Sequence, residues 1–132
     1  MKKNSKIIIF DGYWKISDVK ANPHWLFVYG DNNVRIGKGG QAIIRDLPNT
    51  IGIPTKKYPS NHPNSFYSDD DYIENIARIT IAIENIIIES KNYKNVVLPA
   101  DGFGTGFAQL PIKAPKTYKY LVAAIENLKN II

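Results

Sequence analysis

The fold is decided by the stretch YGDNNVRIGKGGQAIIR, residues 29–45. It follows an aromatic and aliphatic run, Trp25 to Tyr29, which predicts a buried strand. Polar residues and three glycines come next, and an apolar helical pattern begins at Gln41 and extends to about Asp46. The stretch therefore predicts a strand, a glycine loop and a helix in that order.

The glycines of this loop are Gly37, Gly39 and Gly40. Glycine permits positive φ and lets a ligand approach the backbone closely, and the free N–H groups at a helix start favour an anion. A phosphate-bearing ligand is one interpretation. The other is an ordinary turn between strand and helix, because glycines mark many such junctions.

Length and composition favour one domain, residues 1–132, with 44% hydrophobic residues and a single core. The chain has no cysteine, which excludes disulfides and thiolate sites and favours a reducing, cytoplasmic setting. The apolar run Ile7 to Phe10 is too short for a signal peptide or a membrane span, so we expect no membrane partner. The net charge of +5 favours anionic partners, although a lysine-rich surface that keeps the protein soluble explains it equally.

The remaining pattern alternates strands and helices. Strands are predicted at residues 6–10, 50–54 and 95–99, a long helix after the acidic segment 68–71, which would cap it, and a last helix at 116–131. Residues 13–22 predict irregular structure or a short helix, 58–70 a long loop, and 110–115 a connection. This order predicts an α/β fold with three layers, α/β/α, and a central mixed sheet.

A second glycine loop, Ala100 to Gly106, follows the strand at 95–99. In α/β sheets, ligands bind beyond the carboxyl ends of strands, where both glycine loops would open. Common phosphate motifs fit poorly, because Asn32 and Phe107 stand where the P-loop and the dinucleotide fingerprint have glycine. His24 and His62 lack metal-ligand spacing, so we expect no metal and no cofactor.

Three motifs in order, GKGGQA at 37–42, IPTKK at 53–57 and PADGFGTG at 99–106, resemble those of the macrodomains, which bind ADP-ribose. The resemblance runs from about Tyr29 to Leu110. It is closest to the branch containing the antitoxins that remove ADP-ribose from DNA and the lysine-dependent terminal ADP-ribose glycohydrolases.

The resemblance implies a role for each residue of the candidate site. Lys56 matches the lysine that acts on the anomeric carbon of the distal ribose, and such an amine needs burial or a nearby cation, such as Lys57, to lower its pKa. Asp31 or Asn32 would face that ribose. The diphosphate would lie between the two glycine loops, whose binding residues are Gly37, Gly39, Gly40, Gly102, Gly104, Thr105 and Gly106.

The sequence departs from the macrodomain pattern at two places. The Gly-Asp pair that reads adenine is present only as Asp11-Gly12, and no acid follows Gly106. Asp101 is a candidate replacement for the acid, or a residue that caps the turn, and Lys56 without the resemblance is a surface lysine.

We therefore expect a domain that binds an ADP-ribose moiety and hydrolyses an ADP-ribosyl linkage on nucleic acid or protein, with ADP-ribosylated DNA or protein as candidate partners. Two alternatives stay open: a non-catalytic reader or sequestering protein for an ADP-ribose-type nucleotide, and a general nucleic-acid-binding domain, indicated by the basic and aromatic residues from Lys56 to Tyr67.

Overall fold

The computed structural model describes residues 6–132, which form four strands, four α-helices and three 3-10 helices. The strands are β1 (Ile7–Phe10), β2 (Trp25–Asn32), β3 (Thr50–Lys56) and β4 (Asn95–Pro99). The α-helices are α1 (Ile16–Ala21), α2 (Tyr72–Ser90), α3 (Leu110–Lys113) and α4 (Pro115–Ile131), and the 3-10 helices are Gly40–Ile44, Pro63–Ser65 and Asp69–Asp71. All four predicted strands are confirmed, and β2 and β3 extend further toward their carboxyl ends than predicted.

The strands form one sheet in the order β1-β4-β2-β3. Every pairing between these strands is parallel, so the prediction of a mixed sheet is wrong for the described residues. The physical reason is the connections, because each strand is joined to the next by a crossover that contains a helix or a 3-10 helix, and none by a tight hairpin, within the described range. All four carboxyl ends therefore lie at one edge of the sheet.

The sheet is covered on both faces, which confirms the α/β fold with three layers. Alternate strand residues point to opposite faces, so each strand contributes to two hydrophobic clusters. One face packs on α2 and α4 through Leu26, Val28, Val96, Leu98, Ile79, Ile86, Leu121 and Leu128. The other packs on α1 and the 3-10 helix Gly40–Ile44 through Phe27, Tyr29, Val97, Val19, Ala42 and Ile44.

The structure corrects several local predictions. The helix expected at residues 40–46 is a five-residue 3-10 helix, after which Asp46 adopts a φ of 76°. Residues 110–115 hold α3 and the start of α4, and the loop 58–70 contains 3-10 turns. Periodicity in residues 73–88 also predicts an apolar helix face that includes Ile73, Ile81 and Ile88, yet these side chains are 75%, 56% and 59% exposed.

The acidic segment before α2 caps other elements than predicted. The Ser68 hydroxyl accepts from the N–H of Asp70 in the 3-10 turn, and the Asp69 carboxylate accepts from the N–H groups of Lys116 and Thr117 at the start of α4. Among the described residues, no helix is long and apolar enough to cross a membrane.

Candidate functional site

The two glycine loops meet at the carboxyl ends of β2 and β4. The ring of Phe107, the residue directly after the second loop, lies 3.3 Å from the point where a Cβ on Gly40 would stand. The Gln41 side chain joins the loops, because its Oε1 accepts from the Gly30 N–H at 2.7 Å and its Nε2 donates to the Gly102 carbonyl at 2.9 Å. The structure thus brings the predicted first and second loops together, with Gln41 as the bridge.

The backbone of both loops is shaped by glycines with positive φ. Gly40 has a φ of 57° and Gly104 a φ of 76°, a region that costs other residues energy. A Cβ on Gly104 would also stand 2.8 Å from the Leu110 Cβ, so the second loop packs closely on α3. Gly37 and Gly102 have positive φ as well.

Several exposed backbone donors remain available at these loops. Within residues 6–132, the N–H groups of Gly39, Gly40, Thr105 and Gly106 donate to no protein acceptor. The Thr105 hydroxyl is used internally and donates to the Asp101 carbonyl at 2.9 Å. Because the first loop leads into a short 3-10 helix, individual N–H groups supply the attraction for an anion, with little contribution from a helix dipole.

A small crevice of 40 Å³ lies between the loops and the end of β1. It is lined by Gly12, Tyr13, Trp14, Gly40, Gln41, Pro99 and Asp101. This volume holds about one water molecule. The crevice as it stands is therefore too small for a nucleotide, and the Phe107 side chain beside Gly40 is 69% exposed.

Asp31 and Asn32 hold the first loop in place. The buried Asp31 carboxylate pairs with the Arg45 guanidinium, whose Nε also donates to the Gly37 carbonyl at 2.7 Å. The Asn32 amide donates to the Ile36 carbonyl at 2.8 Å. Both side chains are engaged by their own loop, and the expected contact of one of them with a ribose stays a prediction.

Lys56 ends β3 and is only 7% exposed. Its Nζ donates to the Ser60 carbonyl at 2.7 Å and lies 4.8 Å from the centre of the Phe66 ring. Burial lowers the pKa of Lys56 below its ordinary value. The idea that Lys57 supplies this effect is wrong, because the Lys57 ammonium is paired with the Asp71 carboxylate at 2.8 Å.

The two candidate catalytic residues lie in different surroundings. Asp101 is exposed and lines the crevice beside Gly40 and Gln41. Lys56 does not line that crevice and meets Ser60 and Phe66. Asp101 therefore lies at the glycine loops, whereas Lys56 lies outside their crevice and is more buried.

Comparison with known proteins adds a family. A family model described as a family of unknown function (DUF7831) matches residues 9–124. The chain belongs to this family. No curated protein and no solved structure matches it. The matched range of this DUF7831 chain includes both glycine loops, Lys56 and the Asp31–Arg45 pair.

Sequence reasoning missed three residues that shape the site of this DUF7831 chain: Gln41, Arg45 and Phe107. Arg45 gave a usable signal, because a charged residue directly after the apolar run Ala42 to Ile44 needs a partner if the run is buried. The sequence carries no comparable signal for Gln41 and Phe107, since their contacts join segments about 60 residues apart in the chain. Among the residues that the structure describes, no group of three or more His, Asp and Glu side chains is placed to hold a metal.

Proposed function

We propose that this protein binds an ADP-ribose moiety and holds its diphosphate between the two glycine loops. The observation that carries the proposal is the convergence of the loops, which Gln41 joins at the carboxyl ends of β2 and β4. Two linked phosphates suit two adjacent sets of free backbone N–H groups. The order of the motifs, which resembles that of the macrodomains, also supports the proposal, and the cysteine-free composition favours action in the cytoplasm.

We propose further that the protein hydrolyses an ADP-ribosyl linkage on DNA or protein. Lys56 would act on the anomeric carbon, and Asp101 would serve as the acid. The supporting observation is the burial of Lys56, which lowers the pKa of its amine and increases the neutral, nucleophilic fraction.

A non-catalytic binder of ADP-ribose-type nucleotides is the competing function. It is favoured by the separation of the two candidate catalytic residues, because Asp101 lines the crevice and Lys56 is bonded to Ser60. Under this alternative, the glycine loops keep their role and the Lys56 amine serves only the structure.

Binding is tested with two glycine variants that the backbone tolerates. Gly39 has φ and ψ of −81° and 146°, and a Cβ at Gly39 or Gly106 meets no atom within 4 Å. Gly39→Val and Gly106→Val should therefore fold normally, yet each places a branched side chain where the diphosphate would lie. In titration calorimetry each should weaken ADP-ribose binding at least about tenfold, or about 1.4 kcal/mol.

The matched control is Ala123→Val, which adds the same side chain to an exposed position of α4. Unchanged affinity in both glycine variants would remove the loops from the proposed site. AMP and ribose 5-phosphate should bind more weakly than ADP-ribose, and binding to unmodified oligonucleotides with a steep salt dependence would favour a general nucleic-acid-binding domain.

Turnover is tested by the release of ADP-ribose from modified single-stranded DNA and from a modified protein. Lys56→Ala should reduce the rate by orders of magnitude and leave ADP-ribose affinity within a few-fold of the parent. If the wild-type protein binds ADP-ribose and releases none from either substrate, the non-catalytic function is correct.

A further inference from the structure

A second cavity lies along the outer edge of the sheet and reaches Asp31, Asn32 and Arg35 at the start of the first glycine loop. β3 is the outermost strand in the order β1-β4-β2-β3, and a groove of 560 Å³ follows it. On the strand, the groove is bounded by residues 50–54, and on α2 by residues 78–89. We call this cavity the edge groove.

The backbone of β3 offers unpaired groups to the edge groove. The Phe27 N–H donates to the Asn49 carbonyl, so the backbone groups of residues 49, 51 and 53 face β2. Those of Thr50, Gly52 and Pro54 therefore face outward. Only Pro54 lacks an N–H, and proline is tolerated at this position because β3 is an edge strand.

The outward groups of β3 are complementary to those of an identical strand in the antiparallel direction. With Gly52 as the centre, the two Gly52 residues would exchange both of their hydrogen bonds. Each Thr50 N–H would then donate to the Pro54 carbonyl of the other copy. The missing N–H of Pro54 removes bonds only at the two ends of this pairing.

The α2 side of the edge groove shows the same self-complementarity. Ile81 and Ile88 are more than half exposed and line the groove, with Arg78 at one end and Glu89 at the other. Arg78 and Glu89 are eleven residues apart, or roughly 16 Å along the helix, so they do not pair within one chain. In an antiparallel pair of α2 helices, Arg78 of one copy faces Glu89 of the other.

An antiparallel pairing of two copies requires the strand and the helix to share one symmetry axis. The midpoint of residues 50–54 is Gly52, and the midpoint of residues 78–89 lies between Ile83 and Glu84. Both segments bound the same groove, as a single twofold axis perpendicular to the sheet requires. We propose that the edge groove is the interface of a homodimer, in which β3 pairs with β3 and α2 packs beside α2 of the second copy.

Within the described part of the chain, the ion pair that competes with this arrangement is weak. Arg78 is now 3.3 Å from Glu74, and both side chains are largely exposed, which makes the pair easy to exchange. The net charge of +5 on each copy opposes association at low salt, so the experiment uses near-physiological salt. Because the strands run antiparallel, the two glycine-loop sites would lie at opposite ends of the dimer.

The test measures mass by sedimentation velocity over a concentration series. The wild-type protein should be dimeric. Arg78→Glu and Glu89→Arg should each be monomeric alone, since each places like charges together twice. A mixture of these two variants should form dimers again, because every facing pair of side chains in the mixed dimer then consists of one acidic and one basic residue.

Apolar variants give an independent check. Ile81→Lys should dissociate the dimer, whereas Ile73→Lys should not, because Ile73 is 75% exposed on the same helix and does not line the edge groove. Circular dichroism confirms that each variant is folded. A monomeric wild type at every concentration, single charge variants that remain dimeric, or a mixture that stays monomeric would each overturn the proposal.

Discussion

Arg45→Met should lower the free energy of unfolding by about 3–5 kcal/mol, the usual cost of leaving one member of a buried ion pair alone. The side chains of Arg45 and Asp31 are each 8% exposed, so solvent screens their interaction little. The guanidinium also donates to the carbonyls of Gly37 at 2.7 Å and Ile36 at 3.3 Å. Methionine fills similar space but satisfies none of these groups, and Asp31 is left as a buried, unpaired carboxylate.

The double variant Asp31→Asn/Arg45→Met separates the charge effect from packing. Asparagine keeps an oxygen to accept from the Asn32 N–H, now bonded to the Asp31 carboxylate at 2.7 Å, and carries no charge. The double variant should therefore be more stable than Arg45→Met alone, because replacing both members of a buried pair is often close to neutral.

Urea unfolding followed by circular dichroism measures both variants, and thermal melts should shift by roughly 2–8 °C for each kcal/mol. A loss below about 1 kcal/mol for Arg45→Met would match an exposed ion pair and refute the reasoning. A double variant no more stable than the single one would show that packing, and not charge, causes the loss.

Three further predictions concern the site and its support. Gln41→Ala should lower the free energy of unfolding by about 1–3 kcal/mol and weaken ADP-ribose binding, because the Gly30 N–H loses its acceptor. Gln41→Glu keeps that acceptor and should lower stability less. Thermal melts and calorimetry measure both effects, and equal losses in the two variants would contradict this. Asp69→Ala should lower the free energy of unfolding by about 1 kcal/mol, because α4 loses its cap. Partial burial raises the pKa of Asp69, but its hydrogen bonds to Lys116 and Thr117 outweigh that and hold it below the ordinary value. The stability that the Asp69 carboxylate contributes is present above its ordinary pKa and is lost as the pH falls through its lowered pKa in the folded protein. Urea unfolding of Asp69→Ala should therefore depend less on acid pH than unfolding of the wild type. Burial lowers the pKa of Lys56 in the folded protein below its ordinary value. Between the folded and unfolded pKa values the unfolded chain binds more protons, so the free energy of unfolding should rise with pH in that range. Urea unfolding of Lys56→Met should lack this rise when compared with the wild type.

The strands were predictable because parallel strands covered on both faces appear as continuous apolar runs. β4, Asn95–Pro99, has the predicted bounds. The 40–46 segment was not predictable in the same way. Its apolar spacing fits both an α-helix and a 3-10 turn, and the chain leaves the helical path after Ile44 where Arg45 turns back to Asp31. A long-range ion pair thus overrides a local pattern.

Side-chain roles at the site could not be predicted for the same reason. Asp31 follows an apolar strand and precedes a glycine loop, a position suited equally to a ligand contact or a structural pair. Its partner, Arg45, is fourteen residues away in the chain. The partners of Asp69 are more distant still, because the two N–H groups of α4 that it caps belong to residues 47 and 48 positions later in the chain.

The anchoring of the first loop bears on the proposed binding of a diphosphate. Arg45 holds the Gly37 carbonyl at one end of the loop, and Gln41 fixes the other end to β2 and to the second loop. The free N–H groups of Gly39 and Gly40 are therefore held in position, and under the proposed function this would reduce the entropy lost on binding. Under the same proposal two obstacles remain: the Phe107 ring lies against Gly40, and the crevice beside Gly40 is too small for a nucleotide. Because the Phe107 side chain is 69% exposed, its rotation away from Gly40 would cost little buried apolar area.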